Sequence, residues 1–557
     1  MAALREGKQF MELLLAFIVL SPLAGSVGVW ILGELAPNRI REFTLGVVSL
    51  TLLLTVPVVL NPSHEAQLSW TWVERPEIRF ALGIDGLSVW LIGLTSLLTF
   101  SCVLVSWESI RQYSLAFFSL LLVLESAMLG TFMAKDILLF YIFFEFTLIP
   151  LLLLIGIWGG SDRRLAARKF FIYTLSGSVL TFLGLIYLVL ANTEYGSGEL
   201  TFSIPKIIEH LQLPSLNESS VQIWVFLALF MGFAIKVPLF PFHTWLPLAH
   251  VQAPTAGSVL LAGVLLKIGT YGFIRFSIPL LPDASRYFMP AIMVLSIIAI
   301  IYGALVALAQ DDIKRLVAYS SVSHMGFCML GIFTLNRVGI SGGILQMISH
   351  GLATGALFAL VGMVYDRYHT RQIEDFRGLA HRMPVMSFFF VLMALSNLGL
   401  PGLAGFAGEI MILMGAFQNH PLYAAFAAIG IVLGAWYTLW LVERILFGPL
   451  QEPVQPSSGT DFSSVTDMTP REIVAISPLA ILIIWIGITP QMFLQPIHSE
   501  IDRLIDSSDQ MVTAVTAMPS SATQTKDSDF NTRPRDSDLA VTTQPHSARR
   551  SSWEKKP

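Results

Sequence analysis

The chain has 557 residues, 54% of them hydrophobic and only 13% charged, with 34 lysines and arginines against 38 acids. Soluble domains carry about 25% charged residues, so this composition is that of an integral membrane protein. A formal net charge of −4 leaves no electrostatic footprint for nucleic acid. Two lone cysteines, Cys102 and Cys328, sit in separate apolar runs, without a CxxC pair, a His/Cys cluster or a glycine-rich loop after a strand. No cofactor and no metal is therefore expected on this chain.

Crossing about 30 Å of hydrocarbon takes about 20 apolar residues. Runs of that kind lie near 10–33, 41–60, 82–106, 113–133, 136–157, 168–192, 220–248, 255–277, 288–309, 313–334, 340–365, 384–418, 421–447 and 472–494. The fold class expected is thus an all-α membrane protein with about 14 transmembrane helices. The first run follows Arg5 and Lys8 as in a signal peptide, but it exceeds the roughly 7–15 residues of such a core and reads as a span. Lysines and arginines flank the connections after odd-numbered spans about fifteen times and the other side about nine times, which puts both termini on the outer side. From about residue 506 the composition turns to Ser, Thr, Asp, Arg and Pro, and this tail is expected to be disordered.

Two spans are overlong and interrupted, the seventh by KVPLFP and the twelfth by LGLPGLAGF. They lie five spans apart, and an odd offset turns a second copy upside down. Inverted repeats with broken helices at matching positions are a transporter signature. The domains expected are helices 1–3 in 1–110, a first five-helix repeat in 111–278, an inverted repeat in 279–448, the last helix in 449–505 and the tail in 506–557.

Six ionisable residues fall well inside these runs: Glu145, Lys236, Lys267, His324, His350 and Glu409. A lysine at the centre of a bilayer costs roughly 2.5 kcal/mol or more to insert, and such residues usually mark ion pathways. Lys236 is followed by Pro238, Pro241 and Pro247, so its helix cannot be continuous, and a broken helix must line a cavity or be buried in protein. Plainer readings exist for each. Glu145 and Lys236 form a static ion pair, His324 is a hydrogen-bonded core histidine among Ser320, Ser321 and Ser323, His350 bonds a carbonyl, and Glu409 bonds amides freed by the helix break. Their co-occurrence in one chain favours a shared ion path, with the histidines suited to a relay near neutral pH. Glu125 is expected to be structural, and His243 and His250 to lie at the interface.

The segments FFEFTLIPLLLLIGIWGG, KVPLFPFHTWLPLAHVQAPTAGSVLLAGVLLKIGTYG, DDIKRLVAYSSVSHMGF and GLPGLAGFAGE closely resemble the antiporter-like membrane subunits of respiratory complex I, the NADH–quinone oxidoreductase. GIDGLSVWLIGLT, with Asp85, is similar to the third helix of the same family, and the likeness runs from about 80 to 450. The resemblance implies fourteen transmembrane helices with two inverted five-helix bundles. It implies proton translocation driven by electron transfer elsewhere in the complex, where quinone, FMN and iron–sulfur clusters would sit. It assigns the proton path to Glu145, Lys236, Lys267, His324, His350 and Glu409, and neighbouring membrane subunits, protons and the lipid bilayer as partners. A glutamate at 409 matches the M-type branch, where sister subunits carry lysine. Leu248 and Gln252 depart from the acids common in the family and put polar contacts at that loop in doubt. The alternatives are a subunit of a multisubunit sodium/proton antiporter or membrane-bound hydrogenase, and a non-pumping scaffold. A bacterial cell membrane is the expected location.

Overall fold

The computed structural model describes residues 2–61, 67–453 and 465–516, with side chains from Met11 to Arg503. Helix dominates because only helices and closed barrels satisfy every backbone polar group in hydrocarbon. In chain order the elements are α1 (Ala2–Leu35), α2 (Ile40–Leu60), a hairpin of β1 (Gln67–Val73) and β2 (Ile78–Gly83), α3 (Val89–Ser109) and α4 (Ser114–Met133). There follow α5 (Ile137–Phe146), α6 (Leu148–Trp158), α7 (Arg163–Tyr195), α8 (Ile204–His210), α9 (Val221–Lys236) and α10 (Leu246–Gln252). The next helix is composite: α11 (Thr255–Leu260), a π segment (Leu261–Leu265), α12 (Leu266–Gly272), a second π segment (Phe273–Ser277) and α13 (Ile278–Leu280). The chain continues with α14 (Pro282–Leu308), α15 (Ile313–Ile332), α16 (Arg337–Tyr368), α17 (Pro384–Asn397) and α18 (Ala404–Asn419). It closes with α19 (Pro421–Leu446), α20 (Pro470–Ile488) and α21 (Pro490–Thr516).

Among the described residues, eleven helices are long and apolar enough to cross a membrane, with α9 and α17 as shorter apolar helices. Of the expected runs, the seventh and twelfth fall short because their breaks shorten them, and the tenth because His324 and three serines dilute its apolar face. The fifth is also interrupted. Pro150 has no amide to offer the carbonyl of Phe146, and the helix turns at Thr147 between α5 and α6.

Helix starts follow the usual chemistry. Asp136 accepts from the amides of Leu138 and Leu139 at the head of α5, and Asp312 from Arg315 at the head of α15. Asn336 accepts from Gly339 before α16, and Thr469 forms a reciprocal capping box with Glu472 before α20. In the hairpin, which the sequence reading did not anticipate, Trp70 lies opposite Phe80 and stacks on it at 4.5 Å.

The Thr255–Leu280 helix and α16 are enclosed almost completely, whereas α1, α2, α7, α14, α19 and α20 turn apolar side chains such as Phe17, Leu53, Ile172, Leu305, Trp436 and Ile481 outward. In lipid those outward faces are solvated by acyl chains and cost nothing. α21 carries the helix past residue 506, where the tail was expected to begin. Residues Met511–Pro557 form a separate unit, of which 511–516 are described and helical, and the rest of the expected tail lies outside the described residues.

Candidate functional site

Four of the six predicted side chains meet in one row. Lys267 is fully buried between the two π segments, an irregularity that often marks functional positions. Its Nζ donates to the carbonyl of Ala262 at 2.5 Å and lies 2.7 Å from Nδ1 of His350 on α16. The ring of His350 is 5.7 Å from that of His324 on α15, centroid to centroid. Nδ1 of His324 stands 3.3 Å from Oε1 of Glu409 on α18. That is an ion-pair distance without hydrogen-bond alignment, and Nδ1 has no hydrogen-bond partner. Nε2 of His324 meets the Tyr437 hydroxyl of α19 at 3.2 Å. All four residues are at most 4% exposed.

The plainer readings fail at His350 and Glu409, whereas His324 is a buried histidine hydrogen-bonded to Tyr437, as its plainer reading has it. His350 faces an ammonium rather than a carbonyl. The serines around His324 bond backbone carbonyls, Ser320 and Ser321 that of Val317 and Ser323 that of Ile300, and leave the imidazole to Tyr437 and Glu409. Glu409 accepts from the Gln346 side chain at 3.1 Å. The break before α18 makes room for this carboxylate. Gly399 (φ +77) and Gly402 (φ +91) take left-handed backbone, and a Cβ at 399 would lie 2.7 Å from Oε2 of Glu409.

Lys236 and Glu145 stand apart from the row. Lys236 ends α9, 6% exposed, where its Nζ donates to the Thr147 hydroxyl at 3.3 Å and lies 4.3 Å from the centre of the Phe144 ring. A desolvated ammonium over an aromatic face gains about 2 kcal/mol, which offsets much of its insertion cost. Both contacts come from the segment that carries Glu145, yet Glu145 is half-buried and no ion pair joins it to Lys236 among the described residues. The static pair is therefore not formed. The helices of Lys236 and Lys267 do touch: Gly269 packs on the carbonyl of Phe233 and Gly272 on its ring.

Two expectations are corrected. His243 and His250 are buried, not interfacial, because the loop after Lys236 folds inward. His250 lies flat on Phe358, ring centres 4.5 Å apart, with neither nitrogen hydrogen-bonded, and His243 packs on Phe240 and Tyr302. Gln252, where doubt fell on polar contacts, accepts from the Asp162 amide at 3.0 Å while its carbonyl accepts from Gly160 at 2.9 Å, pinning the turn before α7. Tyr437, Gln346 and Thr147 escaped the sequence reading, since hydroxyls and amides are common in membrane helices and carry no insertion signal comparable to a charge. Among the described residues no cluster of three or more His, Cys, Asp or Glu is placed to hold a metal ion.

A lysine, two histidines and a glutamate spaced this way can pass a proton, since an imidazole accepts at one nitrogen and releases from the other. The family model described as NADH:quinone oxidoreductase/Mrp antiporter, TM, matches residues 134–434. NADH-ubiquinone oxidoreductase chain 4 of Chondrus crispus is 43% identical over 88% of this chain and 97% of its own length. NADH-quinone oxidoreductase subunit M of Rickettsia prowazekii (strain Madrid E) is 41% identical over 82% of this chain and 90% of its own. Among solved structures, a chain of respiratory complex I from Thermus thermophilus with bound NADH superposes with a TM-score of 0.79 at 31% identity, covering 89% of this chain and 99% of that one. A chain of the Mrp complex from Dietzia sp. DQ12-45-1b shares the fold, with a TM-score of 0.74 at 20% identity over 90% of this chain and 99% of that one.

Proposed function

This chain belongs to the NADH:quinone oxidoreductase/Mrp antiporter transmembrane family, and we propose that it is the proton-translocating membrane subunit of an NADH–quinone oxidoreductase. Electrons pass from NADH to quinone in other subunits, which hold FMN and the iron–sulfur clusters, and this subunit moves protons in response. In this reading Glu145 gates Lys236, Lys267 relays through His350 and His324, and Glu409 hands the proton outward. The observation that carries it is the buried row Lys267–His350–His324–Glu409, assembled from four separate helices. Four ionisable groups brought together out of lipid contact have a transport role as their common cause. Between Lys236 and Lys267, beyond direct reach, transfer runs through water.

The segments 111–278 and 279–448 are read as inverted copies, supported by breaks after Lys236 and after Asn397 five spans apart. The subunit lies in a bacterial cell membrane with both termini outside, beside antiporter-like neighbours, and the cation count of its connections supports that orientation. The test is the assembled complex with Lys236→Ala, reconstituted in liposomes, with proton uptake measured per electron. Pumping falls while assembly and electron transfer persist; undiminished pumping overturns the reading. A ratio that depends on sodium in the buffer would move the chain to the antiporter alternative.

A further inference from the structure

A second ionic cluster lies along the Lys267 helix, and the relay does not use it. Lys267, Tyr271 and Arg275 are spaced four residues apart and share one face of that helix. Arg275, 7% exposed, donates through Nε to the Tyr271 hydroxyl at 3.0 Å and through Nη2 to Asp85 at 2.6 Å. Asp85 Oδ2 is shared with Lys135, and Asp85 Oδ1 accepts from the amides of Leu87 and Ser88 at the start of α3. The other arm of Arg275 reaches Glu500 of α21 at 3.5 Å, and Glu500 also pairs with Arg503 at 3.6 Å.

α21 is seated on this cluster. Phe493, Ile497 and Ile501 line its buried face, one turn apart. The Trp90 indole donates to the Phe493 carbonyl at 3.0 Å, and Gly86 lies so close to the carbonyl of Pro496 that a Cβ there would overlap it. The charges therefore sit between the Lys267 helix and a covering helix, each paired. A buried arginine is a poor proton carrier, because its guanidinium stays charged, and a good barrier, because it repels an approaching proton.

We propose that Arg275, held between Asp85 and Glu500, is an electrostatic stopper that closes the way from Lys267 to the α21 side of the subunit, so that a proton on Lys267 leaves only through His350, His324 and Glu409. Arg275 is a positioning residue: it sets the direction of transfer and carries no proton. α21 is the cover that keeps it in place. This rests on the proton-relay reading above. Eight residues at no more than about 1.5 Å each put the backbone of Arg275 at most about 12 Å along the axis from that of Lys267. A unit charge at that distance, through an effective dielectric of about 20, changes the rate of proton escape about tenfold.

The test is passive leak. The assembled complex is reconstituted in liposomes, a pH gradient is imposed without NADH, and its decay is followed. Arg275→Met speeds the decay about tenfold, Arg275→Lys keeps the vesicles tight, and Arg275→Met with Lys267→Ala restores tightness because the leak starts at Lys267. Arg275→Gln, which removes the charge but keeps a donor for Asp85, gives a comparable leak and carries the test if Arg275→Met does not assemble. Tight vesicles with the assembled Arg275→Met complex, or with Arg275→Gln if that alone assembles, overturn the stopper; so does a leak that survives Lys267→Ala. The relay reading fails separately, on turnover-driven pumping in Lys236→Ala.

Discussion

Replacing Lys267 separates a charge that must be present from a proton that must move. Its ammonium makes two contacts, to the Ala262 carbonyl at 2.5 Å and to His350 Nδ1 at 2.7 Å, and Nε2 of His350 has no partner of its own. Lys267→Met removes both contacts and strands the imidazole, a loss of about 1–3 kcal/mol in stability. Loss of a positioned donor slows a proton step by about 10²–10⁴, or about 3–5 kcal/mol of barrier. Lys267→Arg is the sharper variant. Guanidinium keeps the charge and the donors but does not release its proton at any attainable pH. Both variants are expected to lose proton pumping through this subunit in reconstituted liposomes, with NADH oxidation measured alongside, while the arginine variant holds its assembly level. If Lys267→Arg pumps with the wild-type ratio of protons to electrons, the residue serves only by its charge, and the relay reasoning is refuted.

Glu409→Gln removes an attraction to a protonated His324 that, at 3.3 Å and an effective dielectric of about 20, is at most about 5 kcal/mol, yet keeps an acceptor for Gln346. The complex should assemble and transfer electrons with a reduced proton ratio, and an unchanged ratio would remove Glu409 from the path. Away from the spans, burial pushes the Glu452 carboxyl up, but the bonds and charge of Arg382 and the Tyr368 hydroxyl outweigh it and hold it below the ordinary 4.5. A depressed carboxyl adds stability above its ordinary value, lost as pH falls through the lower folded value. The paired amides of Arg377 and Gln451 should therefore exchange slowly at neutral pH and lose protection only once pH has fallen below the ordinary carboxyl value. Equal protection at pH 7 and pH 3 would exclude the clamp.

The candidate row was legible in sequence because a charge inside a long apolar run has few innocent explanations, and Lys236, Lys267 and Glu409 each stand in such a run. What joins them was not. The contact of Lys267 with His350 spans 83 residues, and no spacing rule reaches across helices. Sequence also misplaced His250, because a histidine among prolines at a helix break reads the same whether the loop folds in or out. The β-hairpin was passed over because QLSWTWVERPEIRFALG lies where a search for 20-residue apolar runs sees only a polar gap. α21 was not read as a helix of its own, for a related reason. Its one-sided apolar pattern, Phe493, Ile497 and Ile501, is diluted by the polar residues that follow.

The two enclosed helices, Thr255–Leu280 and α16, supply both members of the Lys267–His350 contact, and neither is wetted by lipid along most of its length. A bilayer that thins or thickens tilts the outer ring first, where acyl chains press on Trp436, Leu305 and Ile481. The inner pair is suspended inside that ring like an axle in its bearing, so the 2.7 Å contact that the proposed relay uses is flanked by protein rather than by acyl chains.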